Sequence, residues 1–254
     1  MKRLTNVDEL AALLHGRARA QTNCYWGAQG APPAVAQGRL YAVEGARGLL
    51  LLEYMDTAWK LYAFQGDDVT LPKLELPVVA EVVSRTGGSR ETGLLEWLQT
   101  LGMGLEQTRQ EMRRTEPQDT PVAPLEIGGF HFAHADESLA NEALVLMADV
   151  FDPVCSALPT RMEPASVLCA LDAAGHMAGV LHFSRDSGVL NHLAVSPAYR
   201  RRGVARWLMK RWLALPVGAR RSLWVREDNV PAIALYESLG FRRDGRTCYT
   251  LLRR

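Results

Sequence analysis

The chain has 254 residues, a formal net charge of +1 and 48% hydrophobic residues. That length suits two domains better than one, and the apolar fraction is sufficient for buried cores. The balanced charge argues against a broad nucleic-acid-binding face, and no apolar run is long enough to predict a membrane partner. Four scattered cysteines show no metal-ligand spacing, and the N-terminus does not have the pattern of a signal peptide. We therefore expect reduced thiols, no metal and a cytoplasmic location.

The first half of the chain predicts an α/β domain over residues 1–122. Its predicted elements, in order, are a helix Val7–Leu14, strands Arg39–Val43, Leu49–Tyr54, Trp59–Phe64 and Pro77–Ser84, and a helix Glu91–Leu101. The segment 115–129 contains three prolines and little hydrophobic periodicity, which is typical of a linker. We place the domain boundary near Pro121–Pro124 and predict a second domain over residues 125–254.

The second half alternates strands and helices. Its predicted elements are a helix Ser138–Val150 capped by Ser138, strands Ser166–Leu171, His176–Phe183 and Val189–Val195, a helix beginning at the arginine run near 200, a strand Ser222–Val225, a helix Pro231–Leu239 and closing strands in Phe241–Leu251. The three consecutive strands predict an antiparallel meander.

Two segments of the chain resemble each other. LLEWLQTLGM, residues 94–103, parallels ALYESLGF, residues 234–241, and each follows a predicted strand. Each predicts a helix that ends at Leu-Gly before a large apolar residue. One interpretation is that the first half is a degenerate copy of the second. The other reading is that a helix, Leu-Gly and a strand form a common α/β junction.

The stretch SPAYRRRGVARWLMKRW, residues 196–212, places three arginines directly before a glycine and an amphipathic helix. The first backbone N–H groups of a helix lack intrahelical partners, and the helix dipole adds positive charge there. Arginines at this end oppose the dipole unless an anion is bound, and Gly203 leaves the backbone unobstructed. The segment predicts a phosphate-binding turn; a solvated basic patch or a nucleic-acid contact through Arg200–Arg202 are the alternatives.

Two motifs in this half resemble those of the GNAT superfamily of acyl-CoA-dependent N-acyltransferases. Arg200, Gly203 and Ala205 occupy the positions of its Arg/Gln-x-x-Gly-x-Gly/Ala signature, after the triplet Leu193-Ala194-Val195. Downstream, Asn229, Ala232, Tyr236 and Gly240-Phe241 match the second family motif. The resemblance covers roughly residues 127–254.

The resemblance implies a mixed, mostly antiparallel sheet flanked by helices, which splays open beside the strand Val189–Val195. Acetyl-CoA would lie in the gap as a cosubstrate. By this resemblance the backbone groups of Leu193 and Val195 would pair with the pantetheine arm, with Ala194 between them in the same cofactor-binding triplet. The amides of Arg201, Arg202, Gly203, Val204 and Ala205 would bind the pyrophosphate, with added charge from Arg200–Arg202. Asn229, with Ala232 in the same motif, would contact the pantetheine arm.

The resemblance also implies catalytic roles. Tyr236 matches the tyrosine that protonates the departing thiolate. The base is less defined, because Val189 and Asn191 stand where many relatives have a proton acceptor. His192 is the candidate if a β-bulge turns it toward the site, and His182 is a weaker one. Glu227 and Asp228 ordering a water, or attack by an already neutral amine, stay open.

We therefore predict an N-acetyltransferase that transfers acetyl from acetyl-CoA to a primary amine of a small molecule or a protein. The alternative is a non-catalytic acyl-CoA-binding or regulatory module. We expect no nucleic-acid partner, and a homodimer stays open.

Overall fold

The computed structural model describes residues 1–17, 20–24, 33–85, 89–114, 127–152, 154–156, 158–216 and 221–254. The chain forms two compact units, of which unit 1 comprises Met1–Arg109 and Gly245–Arg254 and unit 2 comprises Gln110–Asp244. The predicted ranges 1–122 and 125–254 differ from these units, because the end of the chain belongs to unit 1. The predicted boundary at Pro121–Pro124 lies outside the described residues. No helix within the described residues is long and apolar enough to span a membrane.

Unit 1 contains a sheet with the strand order β1-β2-β3-β4-β5-β12. Its elements are β1 Lys2–Arg3, α1 Val7–Leu14, α2 Pro33–Ala36, β2 Leu40–Glu44, β3 Leu49–Tyr54, β4 Trp59–Phe64, β5 Val78–Arg85, α3 Ser89–Thr100, the first part of β6 Gly104–Arg114 and the last part of β12 Phe241–Arg253. The strands pair antiparallel except β4 and β5, which are parallel. The final residues belong to unit 1 because β12 pairs with β5 from Arg246 to Arg253.

Leucines from adjacent strands and α3 form a core of unit 1. Leu50, Leu52 and Leu61 pack with Leu94 and Leu98 of the helix, and all five are at most 2% exposed. Alternation along β3 assigns Leu49 and Leu51 to the opposite face, so both faces of this strand are buried.

Unit 2 contains the strand order β6-β11-β10-β9-β8-β7. Its elements are the last part of β6, β7 Phe130–His134, α4 Glu137–Val150, β8 Val167–Asp172, β9 Met177–Phe183, β10 Val189–Val195, α5 Val204–Leu213, β11 Arg221–Arg226, α6 Val230–Ser238 and the first part of β12. The meander β8-β9-β10 is antiparallel, and β10 is parallel to β11. The prediction of a mixed, mostly antiparallel sheet flanked by helices is confirmed.

The helices α4 and α5 cover opposite faces of the meander. Val180 packs in the cluster that contains Met147 of α4, whereas Leu181 packs in the cluster that contains Leu208 of α5. At Gly179 an added Cβ would lie 2.9 Å from Val204 Cγ1, so the start of α5 approaches β9 closely where no side chain intervenes.

Two local predictions are wrong. The helix α4 is capped by Asp136 rather than Ser138, because Asp136 Oδ1 accepts a hydrogen bond from Leu139 N at 2.8 Å. The helix α5 begins at Val204, with Gly203 as its N-cap, whereas the arginine run precedes it. Pro197–Tyr199 forms a short 3₁₀ turn that separates the run from β10.

Candidate active site

The strand β10 has one edge paired along its length and one edge paired only at its start. It pairs with β9 from Leu190 to Val195, whereas its register with β11 comprises only Val189 and Leu190. The rest of the β11-facing edge has no strand partner among the described residues. The sheet therefore opens beside the second half of β10, as the family resemblance implied.

A β-bulge decides which backbone groups face this opening. The register with β9 shifts between Leu190 and His192. Before the shift, Val189 O accepts a hydrogen bond from Ser184 N, and after it Ser196 N donates to Ala178 O. Backbone groups alternate sides along a strand, so the N–H and C=O groups of Leu193 and Val195 point away from β9. These are the two residues expected to pair with a pantetheine arm, while the side chain of Ala194 is buried against α4.

The turn before α5 has the backbone shape of an anion-binding nest. Arg201 and Gly203 have positive φ values of 63° and 86°, and Arg202 between them does not. This alternation makes successive N–H groups converge on one concave surface. Gly203 caps the helix without a side-chain hydrogen bond, and a Cβ there would meet only Ile127 at 3.8 Å.

The amides from Arg201 to Arg206 have no hydrogen-bond partner among the described residues. Val204 fixes the helix by burying its side chain at 1% exposure, while Ala205 is half-buried. The arrangement thus presents unpaired donors at a helix N-terminus, where the helix dipole favours negative charge.

The three arginines have no carboxylate partner within the described parts of the chain. Arg200 Nε donates to Val195 O at 3.3 Å, and the Arg202 guanidinium stacks 4.6 Å from the ring centroid of Phe130. The nearby Asp172 carboxylate accepts from Tyr199 Oη at 2.7 Å and from two backbone amides of its own turn. These donors hold the pKa of Asp172 well below its usual range. Its charge is thus engaged elsewhere, which leaves positive charge around the turn.

Tyr236 lies on α6 and is 7% exposed. Its ring centroid is 6.1 Å from that of Phe241, and its hydroxyl has no hydrogen-bond partner among the described residues. Burial raises the pKa of this phenol, so it is protonated at neutral pH. The same shift makes the proton harder to donate, so the acid role requires that the occupied site stabilise the phenolate.

Asn229 and Ala232 define the start of α6. Asn229 Oδ1 accepts from Ala232 N at 3.2 Å, which makes Asn229 the N-cap, and Ala232 packs against the core. The Asn229 side chain is exposed, so its amide nitrogen is available to a ligand. Of the other charges considered from the sequence, Asp228 forms an ion pair with Arg226.

His192 lies opposite His182 across the β9–β10 pair, on the face covered by α4. The rings are stacked, with an interplanar angle of 4° and Nδ1 atoms 3.3 Å apart. His192 Nε2 is 3.0 Å from Ser156 O, and Phe151 contacts its ring edge-on. The bulge that the sequence analysis required for His192 is therefore present.

A cavity of about 540 Å³ lies beside this pair. Its lining includes His182 and Asn191, together with Glu163, Arg185 and Asp186. The sequence analysis did not single out Glu163, Arg185 or Asp186. Arg185 and Asp186 lie in the turn between β9 and β10, next to His182 and Asn191, whereas Glu163 comes from the segment before β8. No periodic pattern links Glu163 to that turn.

Comparison with known proteins gives consistent results. Residues 139–241 match the family described as "Acetyltransferase (GNAT) family". N-alpha-acetyltransferase RimI of Mycobacterium tuberculosis is 30% identical over 128 residues, which cover 48% of this chain and 81% of that protein.

Two solved structures share the fold. A GCN5-related N-acetyltransferase from Sphaerobacter thermophilus matches with a TM-score of 0.57 and 15% identity, over 82% of this chain and 81% of that one. A tandem GNAT protein from the clavulanic acid biosynthesis pathway matches with a TM-score of 0.54 and 16% identity, over 88% of this chain and 84% of that one.

Proposed function

Because the chain belongs to the GNAT acetyltransferase family, we propose that it transfers the acetyl group of acetyl-CoA to a primary amine. Acetyl-CoA supplies a thioester, whose carbonyl carbon a neutral amine attacks while the thiolate leaves. The residues of unit 2 would bind this cosubstrate, orient it and provide the proton that the thiolate needs.

One observation carries the proposal: an open sheet edge is followed, after one short turn, by a helix start whose N-cap supplies no side-chain hydrogen bond. The outward backbone groups of Leu193 and Val195 would pair with the amide-rich pantetheine arm as a neighbouring strand would. Beyond them, the unpaired amides from Arg201 to Ala205 would bind the pyrophosphate. The residues present fit this group because they offer donors and positive charge without a carboxylate partner among the described residues.

Tyr236 would donate its proton to the departing thiolate. Its hydroxyl is protonated at neutral pH, and it lacks a partner among the described residues. The exposed amide nitrogen of Asn229 would hold the arm that leads to the thioester. Both residues lie on α6, so one rigid element would position the arm and the acid.

The acceptor class follows from the named relative. The M. tuberculosis protein is called an N-alpha-acetyltransferase, and we infer that this chain also acetylates an α-amine. The cavity is the candidate acceptor site, since its lining includes His182 of β9 and Asn191 of β10.

The test is a transfer assay with acetyl-CoA and a panel of amines, followed by release of free thiol. The panel contains a lysine-free hexapeptide with a free α-amine, an Nα-acetylated peptide with one lysine, and small polyamines. We expect the first peptide to be the best acceptor. Tyr236→Phe should slow release at least tenfold while calorimetric CoA affinity is retained.

Tyr249→Phe is the matched control, because Tyr249 packs against the core of unit 1. Unchanged turnover in Tyr236→Phe would remove the acid from the mechanism. Tight CoA binding without transfer to any amine would instead favour a non-catalytic acyl-CoA-binding module.

A further inference from the structure

Two facing histidines in unit 2 must share one proton between them. Their Nδ1 atoms are 3.3 Å apart and their rings are parallel. At that distance one nitrogen must donate and the other accept, since two bare nitrogens or two N–H groups would repel. The identity of the donor determines where the remaining lone pair lies.

The Ser156 carbonyl determines the donor. His192 Nε2 lies 3.0 Å from that oxygen, which can only accept, so Nε2 carries the hydrogen. In its neutral form His192 holds only this hydrogen, so its Nδ1 is bare and accepts from His182 Nδ1–H. His182 Nε2 is then left with an unprotonated lone pair.

The surroundings of His182 favour this neutral form. Burial first, and the neighbouring His192 second, lower the pKa of His182 to about 4. His182 lines the cavity, where Glu163, Arg185 and Asp186 are the other charged groups. Its Nε2 has no hydrogen-bond partner within the described residues, so it is available to a molecule that enters.

We propose that His182 Nε2 is the proton acceptor for the attacking amine, and that His192 and the Ser156 carbonyl position it. The inference rests on the proposed acetyl transfer. The C–N bond forms and the C–S bond breaks. One amine proton passes to His182 Nε2, and the Tyr236 hydroxyl proton passes to the thiolate. The resulting imidazolium and phenolate return to their starting forms through solvent.

The tautomers can be observed without any activity. Long-range ¹H–¹⁵N NMR correlations on the full chain, assigned through His182→Gln and His192→Gln, distinguish protonated from bare ring nitrogens. We expect hydrogen on Nδ1 of His182 and on Nε2 of His192. A hydrogen on Nε2 of His182 at pH 7 would overturn the proposal, whatever the enzyme's rate.

The kinetic test uses the lysine-free hexapeptide at saturating acetyl-CoA. His182→Gln should lower kcat at least tenfold. General-base catalysis contributes 10²–10⁴-fold when the pKa of the base lies near the working pH, and the lowered pKa of His182 reduces that contribution. In His192→Gln the side-chain amide can donate to Ser156 O and accept from His182, so we expect a loss within about fivefold. His192→Phe can do neither, and we expect a loss of at least tenfold.

His131→Gln, an exposed histidine on β7, is the matched control. Calorimetric CoA binding verifies that each variant is folded, and a folded His182→Gln with the wild-type kcat would overturn the base assignment. If the unaltered chain acetylates no amine, the proposed function fails and the catalytic role fails with it. If instead the chain is active but carries hydrogen on His182 Nε2, only the assignment of the base fails and the proposed function stands.

Discussion

Each unit contains one described pair of parallel strands, β4–β5 in unit 1 and β10–β11 in unit 2. The two units differ in what lies beside the first strand beyond the paired residues. In unit 2, β10 pairs with β11 at Val189 and Leu190, and its edge then has no strand partner among the described residues. In unit 1, β4 pairs with β5 from Trp59 to Leu61, and the chain itself covers the edge beyond. Asn23 accepts from Ala63 N and donates to Leu61 O, and it is 4% exposed.

The connections after the two strands also differ. Residues 65–77 join β4 to β5 without a helix, whereas α5 follows β10. Unit 1 therefore lacks the helix start that would bind a pyrophosphate, and it covers the edge that would bind a pantetheine arm. We propose that unit 1 is a degenerate GNAT-like unit in which the chain itself covers the edge beside β4.

The helices α3 and α6, whose sequences resemble each other, show which part of the candidate site is not needed for folding. Each precedes a Leu-Gly pair, and four positions before the glycine α3 has Leu98 where α6 has Tyr236. Both side chains are buried, at 0% and 7% exposure. Packing thus requires a large buried side chain at this helix position. The hydroxyl of Tyr236 is not needed for that packing and is available for chemistry.

The largest expected effect comes from reopening the covered edge. Asn23→Ala leaves Leu61 O and Ala63 N without these partners, and each unsatisfied group costs about 1–3 kcal/mol. We expect the free energy of unfolding to fall by about 3 kcal/mol, measured by urea denaturation. Calorimetry should show one CoA per chain before and after the change.

Asn141→Ala, on the exposed face of α4, should change stability by less than about 0.5 kcal/mol. A second CoA bound to the Asn23 variant would mean that unit 1 has kept a working groove. An unchanged unfolding free energy would mean that Asn23 does not close the edge.

The next effect concerns the histidine pair, which unit 1 lacks because its one histidine is His15. The folded pKa of His182, about 4, lies below its unfolded value of about 6.5. Between these values the unfolded chain binds the extra proton more readily, so lowering the pH through this window destabilises the fold. Below pH 4 this group adds no further loss.

We expect the protonation of His182 to lower the free energy of unfolding by about 2 kcal/mol, after allowance for the partial exposure of this side chain. His192, Glu163, Arg185 and Asp186 are the titratable or charged groups near it. Urea denaturation of the chain and of His182→Gln at pH 7 and 4.5 isolates the contribution, since carboxylates titrate equally in both. Identical pH dependence in the two proteins would contradict the shift.

A third prediction concerns the nest before α5. Gly203→Ala places a Cβ at φ 86°, which costs about 1–2 kcal/mol. If the free turn relaxes, binding must restore the strained form, and we expect roughly tenfold weaker CoA binding by calorimetry. Gly16→Ala has a similar φ of 79° and open space, but it lies outside the site and should leave affinity unchanged. Equal affinities for the two variants would rule out the nest.

Much of this organisation could be predicted from the sequence. The order of strands in unit 2 follows from alternation and turn residues, and the Arg200–Ala205 motif indicates the nest because its residue types relate directly to backbone shape. The Leu-Gly echo also indicated the strand–helix–strand order in both halves. These features are local, so a single sequence contains them.

The features that escaped prediction depend on register and on contacts across long sequence distances. The sequence analysis named a bulge in β10 only as a condition for His192, because no residue pattern fixes its position after Leu190 or the backbone groups that it turns toward the opening. Ser156 and His192 are 36 positions apart, so the pairing that fixes the tautomer of the histidines could not be inferred. The hydrogen bond by which Asn23 covers the edge of β4 joins two residues, Asn23 and Ala63, that are 40 positions apart.

The smallest expected effect concerns the arginines themselves. Arg201 is exposed and forms no ion pair within the described residues. Its side chain would therefore add charge to the pyrophosphate site, while its backbone contributes a positive φ to the nest. Arg201→Gln should weaken CoA binding only about threefold at low salt, because exposed charge pairs contribute up to about 1 kcal/mol. The difference should vanish near 1 M salt, where the Debye length is about 3 Å. Arg161→Gln, at a distant exposed ion pair, should have no effect. A salt-independent loss in Arg201→Gln would show that the positive φ at this position, rather than its charge, determines affinity.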